Sequence, residues 1–471
     1  MNNKIYSLDE ALNLDEKTYH KLYRKHINSG LYSIYKILGF SQMDIENAKG
    51  LEIKLKNGKT ILDFTSGIGV LGLGHNHKKI IKAEKKCQEL KIIDVQKFGI
   101  NKMQAALAYN LSKLLPDPLD TSFFSVSGAE AVEAGIKLIT RAQPKNKKYF
   151  ISFNEDYHGK THGALAFTNS ENFSKGFHIG INKENVIIVE PGDIESLKSV
   201  IKKHTTKNFN NIAGLIIEPI QGQSLGLLPK GYLKKTVELC NNNDILVLID
   251  EIKVGMGRTG KLFSFLDENV VPDVVTISKA LGGGKRAIGV MVTNSKLSKL
   301  AYGKKKDSAL HSTTFSGLGT SCAVAIETLN IISNPDFLKN VEEKGNYLNL
   351  KLTEIKNKYP EIIKSIIGKG LYIGINFNFI PYENKMNKLK IPFLKDIKVA
   401  LMGSIVRSLY RDYNILTHFT PPEPSMLVLM PPLIISNQEI DKFIYSLDNL
   451  LAKGLINLFS KFLINNTKEL L

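Results

Sequence analysis

The 471-residue chain has little cysteine: Cys87, Cys240 and Cys322 stand far apart and at no metal-ligand spacing. That excludes a disulfide framework and a cysteine metal site, and leaves three reduced core thiols. Long apolar runs are missing too, and none reaches the length of a membrane span. The start, MNNKIYSLDEALNLDEK, carries no apolar signal core, so the expected location is the cytoplasm. Internal repeats and low-complexity linkers are absent. Acidic residues are in deficit, 45 against 63 Lys and Arg, for a formal net charge of +18. Such an excess attracts anions. The bases, however, are spread along the whole chain. Dense clusters such as Lys304-Lys305-Lys306 are short and lack interleaved aromatics. No nucleic-acid or membrane partner is expected; a general attraction for anionic small molecules is.

At this length the chain can bury a large core and should divide into more than one domain. Its most informative stretch runs from Ile245 to Ala280. Two apolar runs there each end in a reactive group: Ile245–Ile249 at Asp250, and Val274–Ser278 at Lys279. Short β-branched runs with a helical segment between them read as parallel strands buried on both faces. In such sheets the ligand crevice lies beyond the carboxyl ends of the strands, so both residues open into one crevice. A carboxylate and a lysine delivered to one cavity suit pyridoxal phosphate: the acid serves the ring nitrogen, and the lysine forms a Schiff base with the aldehyde. Spacing alone also allows a plainer pattern, a surface lysine after a core strand and an aspartate capping the next turn.

Other segments extend this reading. A strand over Thr121–Val126 leads into Ser127-Gly128-Ala129-Glu130 and a helix to about Arg141. Free N–H groups at that helix start form a phosphate cradle, or the serine is a simple cap. The strand Lys147–Phe153 runs on to Asp156-Tyr157-His158-Gly159. Tyr157 can stack on a pyridine ring or sit as a core tyrosine, and His158 orients the loop. A third strand, Gly214–Ile217, ends at Glu218. Glycines 67, 69, 72 and 74 make 66–77 a loop that approaches a ligand closely. His75 and His77 there have no third ligand, so no metal site is expected. Residues 1 to about 50 read as mostly helical, 51–64 as a hairpin turning at Asn57-Gly58, and 102–115 as a helix stopped by Pro116. Beyond 330, long helices alternate with short strands such as Gly370–Ile375, and Asp441–Leu463 reads as one closing helix.

The wording of these segments adds a resemblance. IDEIKVGMGRTGKLF, VPDVVTISKALGGG, LIIEPIQG (215–222), SGAEAVEAGIKL (127–138), YHGKTHGAL (157–165) and LHSTTFSG (310–317) resemble the class III aminotransferases of pyridoxal-phosphate fold type I. They follow that family's order and cover most of the chain. The region through SGIGVLGLGHNHKKI (66–80) looks most like the putrescine aminotransferase subgroup. The resemblance implies an α/β fold: a large domain with a mostly parallel seven-stranded sheet flanked by helices, and a small α+β domain built from both termini. The expected divisions are 1–65, 66–330 and 331–471. It implies that Lys279 bonds the cofactor and shuttles a proton, and that Asp250 keeps the ring nitrogen protonated. Tyr157 would stack on the ring; Ser127, Gly128 and Ala129 would hold the phosphate, and Glu218 would stand beside the cofactor. Thr314 would reach the phosphate of a neighbouring subunit's cofactor, which requires a homodimer.

Four positions depart from the family pattern, two toward the cofactor and two that bear on substrate. Ala129 stands where a threonine is usual, which loses a hydroxyl and keeps the backbone donors. Lys253 replaces a glutamine that contacts the cofactor's phenolate oxygen; it would stabilise that oxygen, pair with Glu218, or turn outward to solvent. Val428 occupies the position of an arginine that binds an α-carboxylate, and Gln223 that of a glutamate which neutralises the arginine. A buried member of such a pair left alone is costly, so joint replacement is coherent. The expected substrate is a primary amine, such as a diamine, aminosugar or tailored metabolite, with a keto or aldehyde acceptor. Arg407, Arg411 or Lys253 remain as carboxylate contacts for a conventional ω-amino acid substrate. A racemase, phospho-lyase or aminomutase on the same fold is the alternative reaction.

Overall fold

A computed structural model of the chain describes residues 5–177, 183–206, 209–388, 397–420 and 424–470. Residues 1–4, the start of the stretch read for a signal core, lie outside it. At its centre is a seven-stranded sheet. In spatial order its strands are Leu119–Ser125, Gly289–Asn294, Val274–Ile277, Leu246–Asp250, Ile212–Ile217, Tyr149–Phe153 and Val186–Val189. Gly289–Asn294 runs antiparallel to both neighbours, and the other pairings are parallel. The sequence explains the depth of this sheet. Ile212–Ile217 and Val274–Ile277 have no polar face and are buried along their whole length, as strands covered by helices on both sides must be. The α/β class and mostly parallel sheet expected from the sequence are what the chain forms.

One face is covered by the helix Gly128–Ala142, whose Val132, Ile136 and Ile139 pack with Leu248, Val274 and Met291. This helix lies unusually close to the sheet. A Cβ at Gly135 would stand 2.3 Å from Leu248 Cδ1. Helices Lys102–Leu114, Tyr232–Asn241 and Gly319–Ile332 contribute Leu107, Val237 and Val324 to the larger core. Two smaller sheets complete the fold. Ile45–Lys49, Glu52–Leu55 and Thr60–Asp63 form antiparallel pairs, and Ile415–Leu416 adds in parallel, so early and late chain meet in one sheet. The other holds Ile363–Lys369, Tyr372–Phe377, Met426–Leu429 and His418–Phe419. Among the described residues no helix is long and apolar enough to cross a membrane.

Three local expectations are corrected. No α-helix joins Leu246–Asp250 to Val274–Ile277; turns and the 3-10 segment Ser264–Glu268 do. Gly257 and Gly260 there adopt φ of +86° and +88°, which ends any helix. The buried Glu251 carboxylate pins the loop instead, accepting from Ser264 Oγ and Phe265 N, both at 2.8 Å. Ile45–Lys49 is a strand rather than helix, because pairing with Glu52–Leu55 outweighs local propensity. The closing helix is two helices, Asn437–Ala452 and Leu455–Leu470, broken at Gly454 with φ of +77°.

Candidate active site

Asp250 is the last residue of its strand, and Lys279 follows the neighbouring one. Parallel register sets Asp250 opposite Thr276. Both residues therefore emerge from the same edge of the sheet, and both line one cavity of about 190 Å³. Gly128, Ala129, Tyr157, Glu218 and Lys253 line it too. A larger cleft of about 450 Å³ borders Lys364, Asn376 and Lys398 and contains neither Asp250 nor Lys279. The smaller cavity holds the chemistry.

The Asp250 carboxylate is buried and fully engaged. Oδ1 accepts from Ile252 N at 3.0 Å and Thr276 Oγ1 at 3.1 Å, and Oδ2 lies 2.8 Å from His158 Nδ1. On its far side His158 Nε2 faces Asp156 Oδ2 at 3.4 Å, a charge contact without hydrogen-bond alignment. Burial alone would push the imidazole down. The two carboxylates outweigh it and raise His158 to about 10, so it stays a cation at neutral pH. Asp156 Oδ1 in turn accepts from Gln221 Nε2 at 3.0 Å. The sequence offered His158 as a loop residue only. Its partnership with Asp250 had no local signal, because the loop that carries His158 and the strand that ends at Asp250 are 92 residues apart.

Lys279 has a backbone φ of +45°, in the left-handed region that a lysine seldom adopts. The buried Ser278 holds this turn by donating Oγ to Ile288 O at 2.7 Å. Burial lowers the Lys279 pKa, against the opposing pull of Asp250 and Glu218. Glu218 is buried as well. Its oxygens accept from Tyr157 N at 2.8 Å and Gly222 N at 3.0 Å. Burial, then the Asp156 charge, raise its carboxyl to about 8. The Tyr157 ring stands edge-on to Phe173, centroids 5.4 Å apart.

At the opposite wall the helix Gly128–Ala142 begins. Ser127 caps it: Oγ accepts from Glu130 N at 3.2 Å, and the Glu130 carboxylate takes Ser127 N at 3.1 Å. That hydroxyl is spent on the cap and does not line the cavity. The N–H groups of Gly128 and Ala129 have no acceptor among the described residues. Thr314 is exposed, in a turn away from the cavity. The Lys253 side chain is buried and lines the cavity, so the outward, solvent-facing reading does not hold. It donates to Gly222 O and forms no ion pair with Glu218. Val428 is wholly buried in an apolar cluster with Ile220, Tyr372, Met426 and Met430. Gln223 is half-buried, and its carbonyl accepts from Thr420 Oγ1 at 2.8 Å. Arg407 caps the helix Ser29–Leu38, donating to Lys36 O and Ile37 O, and lines a separate cleft with Arg411.

These groups fit pyridoxal phosphate. Two unfilled N–H groups at a helix start suit a phosphate. A buried carboxylate held by an imidazolium suits a ring nitrogen, and a half-buried lysine with no hydrogen-bond partner among the described residues suits an aldehyde. A Cβ at Gly128 would stand 2.9 Å from Ile252, so a bulkier residue would close the phosphate end. No group of three or more residues able to hold a metal occurs among the described residues.

A family model described as aminotransferase class III matches residues 39–451. The chain is 32% identical over 454 residues to the aminotransferase PigE of Serratia sp. (strain ATCC 39006), covering 90% of this chain and 52% of that protein. It therefore spans about half of that relative's length. It is 28% identical to an uncharacterized aminotransferase of Schizosaccharomyces pombe, over 95% of this chain and 89% of the relative. Among solved structures, a transaminase from the marine bacterium Virgibacillus superposes with a TM-score of 0.79. Sequence identity is 23%, with 94% of this chain and 99% of that one covered.

Proposed function

The chain belongs to the class III aminotransferases, which depend on pyridoxal phosphate, and we propose that it moves an amino group between a primary amine and a keto or aldehyde acceptor. A diamine, an aminosugar or a tailored metabolite fits the amine better than an α-amino acid. The observation that carries this reading is Val428. The position that would present an arginine to an α-carboxylate is sealed in an apolar cluster with no exposed surface.

Pyridoxal phosphate supplies, when bound, an aldehyde that takes up the amino group and a ring that draws electrons from the adjacent carbon. Lys279 would bond it and then, as a free amine, carry the proton between the substrate carbon and the cofactor's aldehyde carbon; its lowered pKa favours that base role. Asp250, locked to the His158 imidazolium, would hold the proton on the ring nitrogen. Gly128 and Ala129 would donate backbone N–H groups to the phosphate. Tyr157 would lie against the ring, with Glu218 and Lys253 at its side. The proposed divisions of the chain remain 1–65, 66–330 and 331–471.

A homodimer is part of this reading, with Thr314 reaching into the partner's site. Exposed apolar side chains support it. Phe98 and Ile100 are 96% and 90% exposed, and the neighbouring Lys97 Nζ donates to Thr313 O, so both segments share one face. A cytoplasmic location is proposed with it.

Addition of donor amine alone tests the reaction. An aminotransferase releases one carbonyl product per site and then stops until an acceptor is added. Continuous turnover of a single substrate without acceptor would instead support the racemase, lyase or aminomutase alternative.

A further inference from the structure

Lys253 is a buried amine that forms no ion pair among the described residues. Its side chain lines the cavity that holds Lys279 and Asp250. Its one hydrogen bond among the described residues goes to Gly222 O, which leaves at least one N–H direction unfilled. The Tyr372 ring lies under it, 5.0 Å from Nζ to the centroid.

No neighbouring element forms an ion pair with it among the described residues. Lys279, after the Val274–Ile277 strand, has the same sign. So does Arg258 on its own loop, which is held by the carbonyls of Leu371 and Pro431. Glu218, beyond the Ile212–Ile217 strand, spends its oxygens on Tyr157 N and Gly222 N and makes no ion pair with Lys253. Asp250 is taken by His158, Thr276 and Ile252. Tyr372 donates its hydroxyl to the carbonyls of Gln221 and Gly222. His418, cross-strand neighbour of Val428, has no partner on either ring nitrogen. Burial and the Lys253 charge hold it neutral, down to about 3, although Asp63 pulls the other way. Under these conditions burial, then the Lys279 charge, bring Lys253 down to about 7, although the Glu218 charge pulls the other way.

The geometry points to Lys253 as the seat for the carboxylate of the second substrate, an amine that takes up a proton as that carboxylate binds and gives it back when the carboxylate leaves. The inference rests on the aminotransferase reading, because a reaction in two halves admits a carboxylate-bearing partner to the cavity that the amine has left. A permanently charged guanidinium at Val428 would stay buried and unpaired whenever the occupant lacked a carboxylate. An ionisable lysine avoids that state, since it is neutral without the anion and charged with it.

Calorimetric titration of the cofactor-loaded protein with glutarate, an unreactive five-carbon dicarboxylate, tests this. At pH 8, in two buffers of different ionisation enthalpy, wild type should take up close to one proton per site as glutarate binds. Lys253→Gln should bind glutarate at least tenfold more weakly and without proton uptake. Lys253→Arg should keep the affinity and lose the uptake. A cooperative melt and retained cofactor absorbance identify folded variants. Glutarate binding by wild type without net proton exchange would overturn the inference, as would unchanged glutarate binding by Lys253→Gln. Absence of saturable binding even at pH 6.5 would also overturn it. If Lys253→Gln shifts the cofactor's absorbance and leaves the glutarate titration intact, the amine serves the cofactor and the inference fails. The donor-only product release described above involves no dicarboxylate, so the two readings can fail separately.

Discussion

His158 Nδ1 stands 2.8 Å from Asp250 Oδ2, with both side chains cut off from solvent. The buried charge of Asp250 is thus met by a buried imidazolium, which is itself balanced by Asp156 on its far side. The arrangement leaves the carboxylate fixed in place, and its stability is tied to pH.

For His158 the folded pKa, about 10, lies above the ordinary 6.5. Its contribution to stability is therefore complete below pH 6.5 and is lost as pH rises toward 10. Urea midpoints at pH 6, 8 and 10 should fall for wild type. His158→Gln should show a flatter profile and lie below wild type at pH 6 by roughly 3–5 kcal/mol, the cost of breaking a buried pair. Parallel profiles for the two proteins would contradict the assignment.

Lys279→Ala should remove the visible absorbance of the bound cofactor and lower turnover by about 10²–10⁴-fold, the range lost with a positioned proton carrier. Stopped-flow measurement of product release separates this loss from weaker binding. Retained turnover would remove the central assignment.

Gly289 lies beside the start of the Gly128–Ala142 helix, and a Cβ there would stand 2.1 Å from Ser127 O. That oxygen is backbone and cannot step aside without moving the helix cap. Gly289→Ala should therefore weaken cofactor affinity by at least about tenfold, or ~1.4 kcal/mol. Fluorescence titration of cofactor into stripped protein reads it. Unaltered affinity would mean the helix start does not set the phosphate site.

Val428→Arg would put a guanidinium among Ile220, Tyr372, Met426 and Met430. An unpaired charge there should cost several kcal/mol, roughly 3–5, of stability. Chemical denaturation measures the loss. A variant as stable as wild type would show that the side chain reaches a polar space, and with it the grounds for excluding an α-carboxylate would go.

Much of the cavity was legible because each residue ends or follows an apolar strand. Asp250, Glu218 and Lys279 are each the first charged group after a run of buried β-branched residues, so sheet topology alone sends them to one edge. Gly128 and Ala129 were readable from the strand, cap and helix order. Other features had no such signal. The direction of Lys253 depends on Gly222 and Tyr372, which come from two other segments. The capping role of Ser127 competes with any role toward phosphate, and only hydrogen-bond geometry decides between them. Gly257 and Gly260 turned an expected helix into a loop without altering the parallel register of the strands it joins.

By itself the sequence determined which groups are present and at which strand tips they emerge, because apolar runs of strand length must be buried and their ends must leave the sheet. Tertiary structure alone decided which of those groups share charge. Pairing His158 with Asp250, closing Val428 into an apolar cluster and leaving Lys253 without an ion pair all depend on distances between segments far apart in the chain. Electrostatic energy in a buried site is set by those distances, and no local pattern of residues encodes them.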